Sequence, residues 1–217
     1  MPLVTYTCSA SAPGILALKL LAKIQDTEVD FTESSETTPS LKVVTTNPVL
    51  GSSSTSTSVS WVGCARTLSQ LVPSLGLWDG PTVESWIESA ATAVIPATSD
   101  DSGKAAVEEF LTKLEAHLAE TKNSYVTGSF TAADVCLSVW IAQAMTKCSI
   151  EGAGETVSGW LKSVLTALKS CDSSVSPLLS AVSGGASSGG LDDNPLVQKL
   201  KEFGVEMEVY AHEACMK

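Results

Sequence analysis

From Tyr125 to Trp140 the chain reads Tyr-Val-Thr-Gly-Ser-Phe-Thr-Ala-Ala-Asp-Val-Cys-Leu-Ser-Val-Trp, and this stretch restricts the fold more than any other. A turn around Gly128 leads to Thr131, Asp134 follows three residues later, and an apolar run begins at once. That spacing predicts a helix start held by two reciprocal bonds. The Thr131 hydroxyl accepts from the Asp134 N–H, and the Asp134 carboxylate accepts from the N–H of Thr131. Phe130, just outside the helix, can clamp onto Val135 as a hydrophobic staple. Each cap is worth about 1 kcal/mol. Val135 through Ala144 is apolar on nearly every side, which implies a buried central helix.

The elements before it follow a different rhythm. Leu3 to Cys8 reads as a short strand, and Pro13 suits the first turn of a helix carrying Ile15, Leu16, Leu18, Leu20, Leu21 and Ile24. Glu28–Phe31 and Leu41–Thr46 alternate as strands, and Val49-Leu50 extends the sheet. The run 51–58 is expected to be a polar connector, and Trp61 to Val72 a helix. The resulting order, β-α-β-β-β-α, is that of a small thioredoxin-like half over residues 1–79.

Leu77-Trp78-Asp79-Gly80-Pro81 has the residues of a linker, and beyond it every element is helical. Helices are expected over Val83–Thr98, around Val107, Phe110, Leu111, Leu114 and Leu118, over the boxed segment, around Val157 to Leu168, and at Pro177-Leu178-Leu179. Residues 80–182 therefore read as a helical half. The Gly/Ser-rich run opening at Ser183 is a flexible linker over 183–194. Pro195–Phe203 then reads as a helix, Gly204 as its C-cap and Val205–Tyr210 as a strand, too little for a core of its own. The chain is expected to stop as a second domain begins.

Charge narrows the partners. Thirteen Lys and Arg face twenty-four Asp and Glu, for a net charge of −11, so direct nucleic-acid binding by this segment is not expected. The N-terminus lacks a basic region followed by an apolar one, and no window has the length of a membrane span, so a cytoplasmic location is expected. The six cysteines have no metal-binding spacing and are expected to stay reduced; Cys136 reads as a small apolar residue. No metal is expected. His117, between Leu114 and Leu118, has no second ligand near it in sequence.

Tyr-Val-x-Gly-x-x-Thr-x-Ala-Asp-Val at 125–135 resembles the core signature of the helical half of glutathione-transferase-like proteins. Glu84-Ser-Trp86-Ile-Glu88-Ser-Ala-Ala-Thr92 and Gly159-Trp160-Leu161 resemble one branch of them, the domains appended to glutamyl- and methionyl-tRNA synthetases and their scaffold proteins. This resemblance spans about residues 80–180 and implies docking with other such domains, or a homodimer, with no cofactor. Residues 195–217 are similar to the opening of the prolyl-tRNA-editing (YbaK-like) deacylase domain, including His212. The resemblance implies that a catalytic lysine and an aminoacyl pocket would lie beyond Lys217.

The alternative is an active cytosolic glutathione transferase or thiol-dependent reductase with glutathione as cofactor. Tyr6, Cys8, Ser9 or Ser11 would then hold the thiolate near a helix N-terminus, and Pro48 would meet the peptide backbone. Against it, no Asp or Glu lies between Glu36 and Asp79 to receive the glutathione amino group. The family's Glu/Gln-Ser pair is replaced by Val59-Ser60. Trp86 and Trp160 fit a bundle core or a partner surface equally well.

Overall fold

The computed structural model describes residues 3–8, 14–27, 29–33, 39–46, 53–98, 103–150 and 152–183. Four strands form one sheet in the order β2-β1-β3-β4. β1 is Leu3–Cys8, β2 Val29–Glu33, β3 Ser40–Thr46 and β4 Ser53–Val59. β2 runs parallel to β1 across helix α1 (Ile15–Ile24), whereas β3 is antiparallel to both β1 and β4. The period-two rule is visible in β3, where Leu41 and Val43 are buried and Lys42 between them is exposed. Helix α2 (Trp61–Ser69) follows β4 and packs against β3 and β4.

One strand overturns a sequence expectation. The polar connector expected at 51–58 is, from Ser53 onward, the edge strand β4, paired with the whole of β3 from Ser40↔Val59 to Thr46↔Ser53. Thr55, Ser56 and Thr57 are exposed, so an edge strand can carry hydroxyls at little cost, and β-branched threonine suits extended backbone. Val49-Leu50 lies outside the described residues.

The helical half consists of α3 (Gly80–Ala93), α4 (Lys104–Thr121), α5 (Ala132–Lys147), α6 (Glu155–Cys171) and α7 (Ser176–Ser183). Pro81 falls in the first turn of α3, so the expected linker is partly helix. The expected single helix 83–98 breaks at Val94 and resumes as a short 3-10 turn, Pro96–Thr98, because proline removes the N–H that would continue the ladder. Likewise α2 ends at Ser69, ahead of Pro73. α5 is the axis of the bundle: twelve of its sixteen residues are buried, and it packs against α1, α2, α3, α4, α6 and α7.

Helix α6 is capped from a distance. Gly154 at its N-cap has no side chain to offer, and Glu115 of α4 does the capping instead. Glu115 Oε1 accepts from Thr156 N–H at 3.0 Å, and Oε2 accepts from Val157 N–H at 2.7 Å. Burial pushes the Glu115 carboxyl up, but the bonds from Thr156 and Val157 outweigh it and hold the group below its ordinary value. Gly154 has φ +79°, and a Cβ there would come within 2.4 Å of Glu115 Oε2.

The two halves share one continuous core. The carbonyl of Leu77, in the connection between them, accepts the N–H of Ala132 in the first turn of α5 at 2.8 Å. Trp140 of α5 donates its indole N–H to the Gly14 carbonyl at 3.4 Å, immediately before α1. Trp61 of α2 meets the Trp140 ring edge-on, with centroids 6.3 Å apart. Arg66 of α2 pairs with Glu84 of α3 and lies over the Trp78 ring. Residues 184–217, with most of the expected linker and the expected start of a second domain, lie outside the described residues.

Candidate functional site

The sequence signature builds a polar centre inside the bundle. Asp134, with no solvent exposure, uses both carboxylate oxygens. Oδ2 accepts Thr131 N–H at 3.0 Å and the Thr131 hydroxyl at 3.4 Å. Oδ1 accepts Val126 N–H at 3.0 Å and the indole N–H of Trp160, also at 3.0 Å. Thr131 is the N-cap and its hydroxyl faces the Asp134 N–H as a capping box requires, but its shorter hydrogen bond, 3.1 Å, is shared with the Thr127 hydroxyl. Phe130 and Val135 flank the box, both buried, and Phe130 meets the Tyr125 ring edge-on. Burial pushes the Asp134 carboxyl up to about 6, and the donors that favour its charged form offset only part of that. With every lone pair directed at the protein, this centre fixes the chain entering α5. Trp160 is only 5% exposed and belongs to this network, so the structure places it in the core rather than on a surface.

A second constellation lies at one end of the sheet. Cys8 ends β1, and the pairing Thr7↔Ser40 sets Pro39 beside that end. Pro39 is buried and its carbonyl accepts Ser60 N–H at 3.2 Å. Ser40↔Val59 brings the end of β4 to the same corner, where α2 begins. The register thus puts Pro39 at the corner. β3 ends at Thr46, past Val44, the partner of Leu3 at the opposite end of β1. Pro48, the proline expected to meet a peptide backbone, lies outside the described residues. Ser9 and Ser11 lie outside the described residues, as does the side chain of Cys8.

At this corner Ser60, ahead of α2, is bonded within the fold. The Ser60 hydroxyl accepts Gly63 N–H at 3.0 Å, and its own N–H is taken by Pro39. Val59, where the glutathione-transferase-like pattern has Glu or Gln, is 66% exposed and its side chain has no hydrogen-bonding group. Gly14 is covered by the Trp61 ring, 2.4 Å from where a Cβ would stand.

The third feature is a groove of about 300 Å³ between α3 and α4. Trp86 and Phe110 line it edge-to-face, centroids 6.1 Å apart, with Ser85, Ser89, Ala93 and Ala106 as small neighbours. Glu109 and Lys113 form an ion pair on its border at 2.7 Å. Trp86 is half-buried and its ring also packs, tilted by 51°, against His117, whose Nε2 donates to the Val126 carbonyl at 2.7 Å. His117 is therefore a packed, hydrogen-bonded side chain.

Among the described residues no group of His, Cys, Asp and Glu could hold a metal ion. Burial raises the Cys136 thiol far above its ordinary range and pushes Cys171 up to about 11, so both are poor nucleophiles. No helix among the described residues is long and apolar enough to cross a membrane.

No family model and no curated protein matches the chain. Solved structures do. A possible glutathione S-transferase from Rhodopseudomonas palustris is 15% identical with a TM-score of 0.54, over 74% of this chain and 85% of that one. The theta class glutathione S-transferase of Xanthomonas axonopodis pv. citri, solved with glutathione bound, is 16% identical with a TM-score of 0.53, over 74% and 90%. Glutathione transferase Omega 2C from Trametes versicolor is 17% identical with a TM-score of 0.51, over 94% and 100%. At these identities the likeness is one of architecture. The chain has a glutathione-transferase-like fold, a small thioredoxin-like sheet half joined to a helical half.

Proposed function

We propose that this chain is a non-catalytic docking domain that tethers an aminoacyl-tRNA deacylase to a multi-aminoacyl-tRNA-synthetase complex. Its partners would be other glutathione-transferase-like domains of synthetases or scaffold proteins. The observation that carries the non-catalytic reading is the sheet-end corner. Val59 stands exposed where an acid or amide would receive glutathione, and the Ser60 N–H is already donated to the Pro39 carbonyl while its hydroxyl oxygen caps Gly63. The resemblance of residues 80–180 supplies the partner class, and that of residues 195–217 the tethered module. Tethering raises the local concentration of an editing module near mischarged tRNA without requiring tight binding to it.

Two measurements on the full-length protein test this reading. Calorimetric titration with reduced glutathione is expected to give no binding heat. Affinity purification is expected to recover one or more synthetases in fixed proportion. Saturable glutathione binding, with conjugation to a halonitrobenzene, would establish instead an active glutathione transferase or thiol-dependent reductase. That second reading is favoured by one observation: β1 ends at Cys8, ahead of helix α1, where a thiolate would be stabilised by the helix N-terminus.

A further inference from the structure

We infer that β4 is the seam through which two copies of this chain join, its outer edge pairing antiparallel with the β4 of the second copy to make one continuous sheet. The inference goes beyond the docking reading and does not depend on it. β4 ends the sheet, and among the described residues no strand lies against its outer side. Ser60 N–H donates to the Pro39 carbonyl, and residues bonded in this way alternate along an antiparallel ladder. Ser58, Ser56 and Ser54 therefore turn their backbone toward β3, while Val59, Thr57 and Thr55 present N–H and C=O groups outward. Thr55 and Thr57 are exposed, and Val59 is the only exposed large apolar side chain among the described residues. An open row of backbone groups is a template for another strand.

The two edges of the sheet are guarded differently. β2 carries Asp30 and Glu33 in five residues, so copies meeting there would set acid against acid. β4 is seven residues, Ser-Ser-Thr-Ser-Thr-Ser-Val, with no charge and no proline, and its register with β3 runs without a bulge. The usual devices against edge pairing are missing from it. Charge then selects the occupant. Each copy carries −11, yet residues 37–78 contain no Asp or Glu and only Lys42 and Arg66, the latter paired with Glu84. Here two such chains meet with least repulsion, whereas a charged foreign strand finds no charge on β4 to answer it. The strand is also its own complement. A two-fold axis at Ser56, its midpoint, sets Thr55 against Thr57 and Ser53 against Val59 of the second copy, so outward groups meet outward groups over about 23 Å. Threonine pairs are favourable across strands. The two Lys42 side chains, one strand further in on each copy, stay about 14 Å apart and are screened from one another.

The test uses the full chain, with sedimentation velocity over a wide range of concentration and amide hydrogen exchange at both ends of that range. A monomer–dimer equilibrium is expected. The Thr55, Thr57 and Val59 amides are expected to exchange more slowly as the dimer forms, and those of Ser56 and Ser58, already turned to β3, to stay unchanged. Thr57→Pro removes one outward N–H, a change an edge strand tolerates, and is expected to weaken dimerisation about tenfold. Thr57→Val keeps that N–H and is expected to dimerise as the parent does. If the proline variant loses its circular dichroism spectrum, Thr55→Lys takes its place: a charge on the open edge is expected to give the same loss, about tenfold. A chain that stays monomeric, or a dimer indifferent to the folded edge variant, overturns the inference. So does edge-amide protection that does not change with concentration, because a segment of the same chain then covers β4.

Discussion

Two carboxylates with opposite electrostatic surroundings shape the stability of this chain. Asp134→Asn replaces one acceptor oxygen by an NH2 group facing N–H donors, and is expected to cost about 3 kcal/mol in urea unfolding at neutral pH. Its pH dependence has a definite sign. The folded-state value, about 6, lies above the ordinary 3.8, so the Asp134 contribution is fully present below pH 3.8 and lost as pH rises through 6. The deficit of the asparagine variant should therefore widen as pH falls from about 7 to 4. Glu115→Gln should behave in the reverse sense. Its carboxyl is held below the ordinary value, so its contribution is present at neutral pH and lost in acid. The glutamine variant should lose about 1 kcal/mol near neutrality, and that loss should shrink as pH falls. A deficit that moves the same way with pH in both variants would contradict this assignment. The Thr131-Asp134 box was legible in sequence because its partners are three residues apart. Glu115 was not, since its partners lie on another helix, and neither was the bond from Trp160, whose spacing suits a core or a surface alike.

At the scale of elements, local pattern located the helices and left their neighbours open. The apolar stripes of α4 and α6 and the all-round apolarity of α5 were enough to place them. β4 escaped because Ser and Thr compose connectors and edge strands alike, and only its pairing with β3 decides between them. The same non-locality hid Pro39, which only strand register sets beside the end of β1. Helix α1 is held at its start by two rings from other elements, Trp61 from α2 and Trp140 from α5. Gly14→Ala would drive a methyl group into the Trp61 ring and is expected to cost about 2 kcal/mol, with a shift in tryptophan emission. An alanine variant as stable as the parent, with unchanged emission, would show that the ring moves aside freely.

For the whole molecule, the shared core and the Leu77–Ala132 and Trp140–Gly14 bonds predict that the two halves unfold as one. Tryptophan fluorescence and far-ultraviolet circular dichroism should trace coincident urea transitions; two separated midpoints would mean that either half stands alone. The division into sheet half and helical half was readable from where period-two alternation gives way to helical spacing near Gly80. The seam between them was not, because its shared core and its bonds join residues far apart in sequence. The buried carboxylate at the head of α5 also bears on handling. Between pH 6 and the isoelectric point near 4.5, the protein sheds the charge that keeps copies apart while protonation of Asp134 relieves a buried charge. Material that comes out of solution there should be a native isoelectric precipitate that redissolves with its spectrum intact once alkali is added, rather than a denatured coagulum.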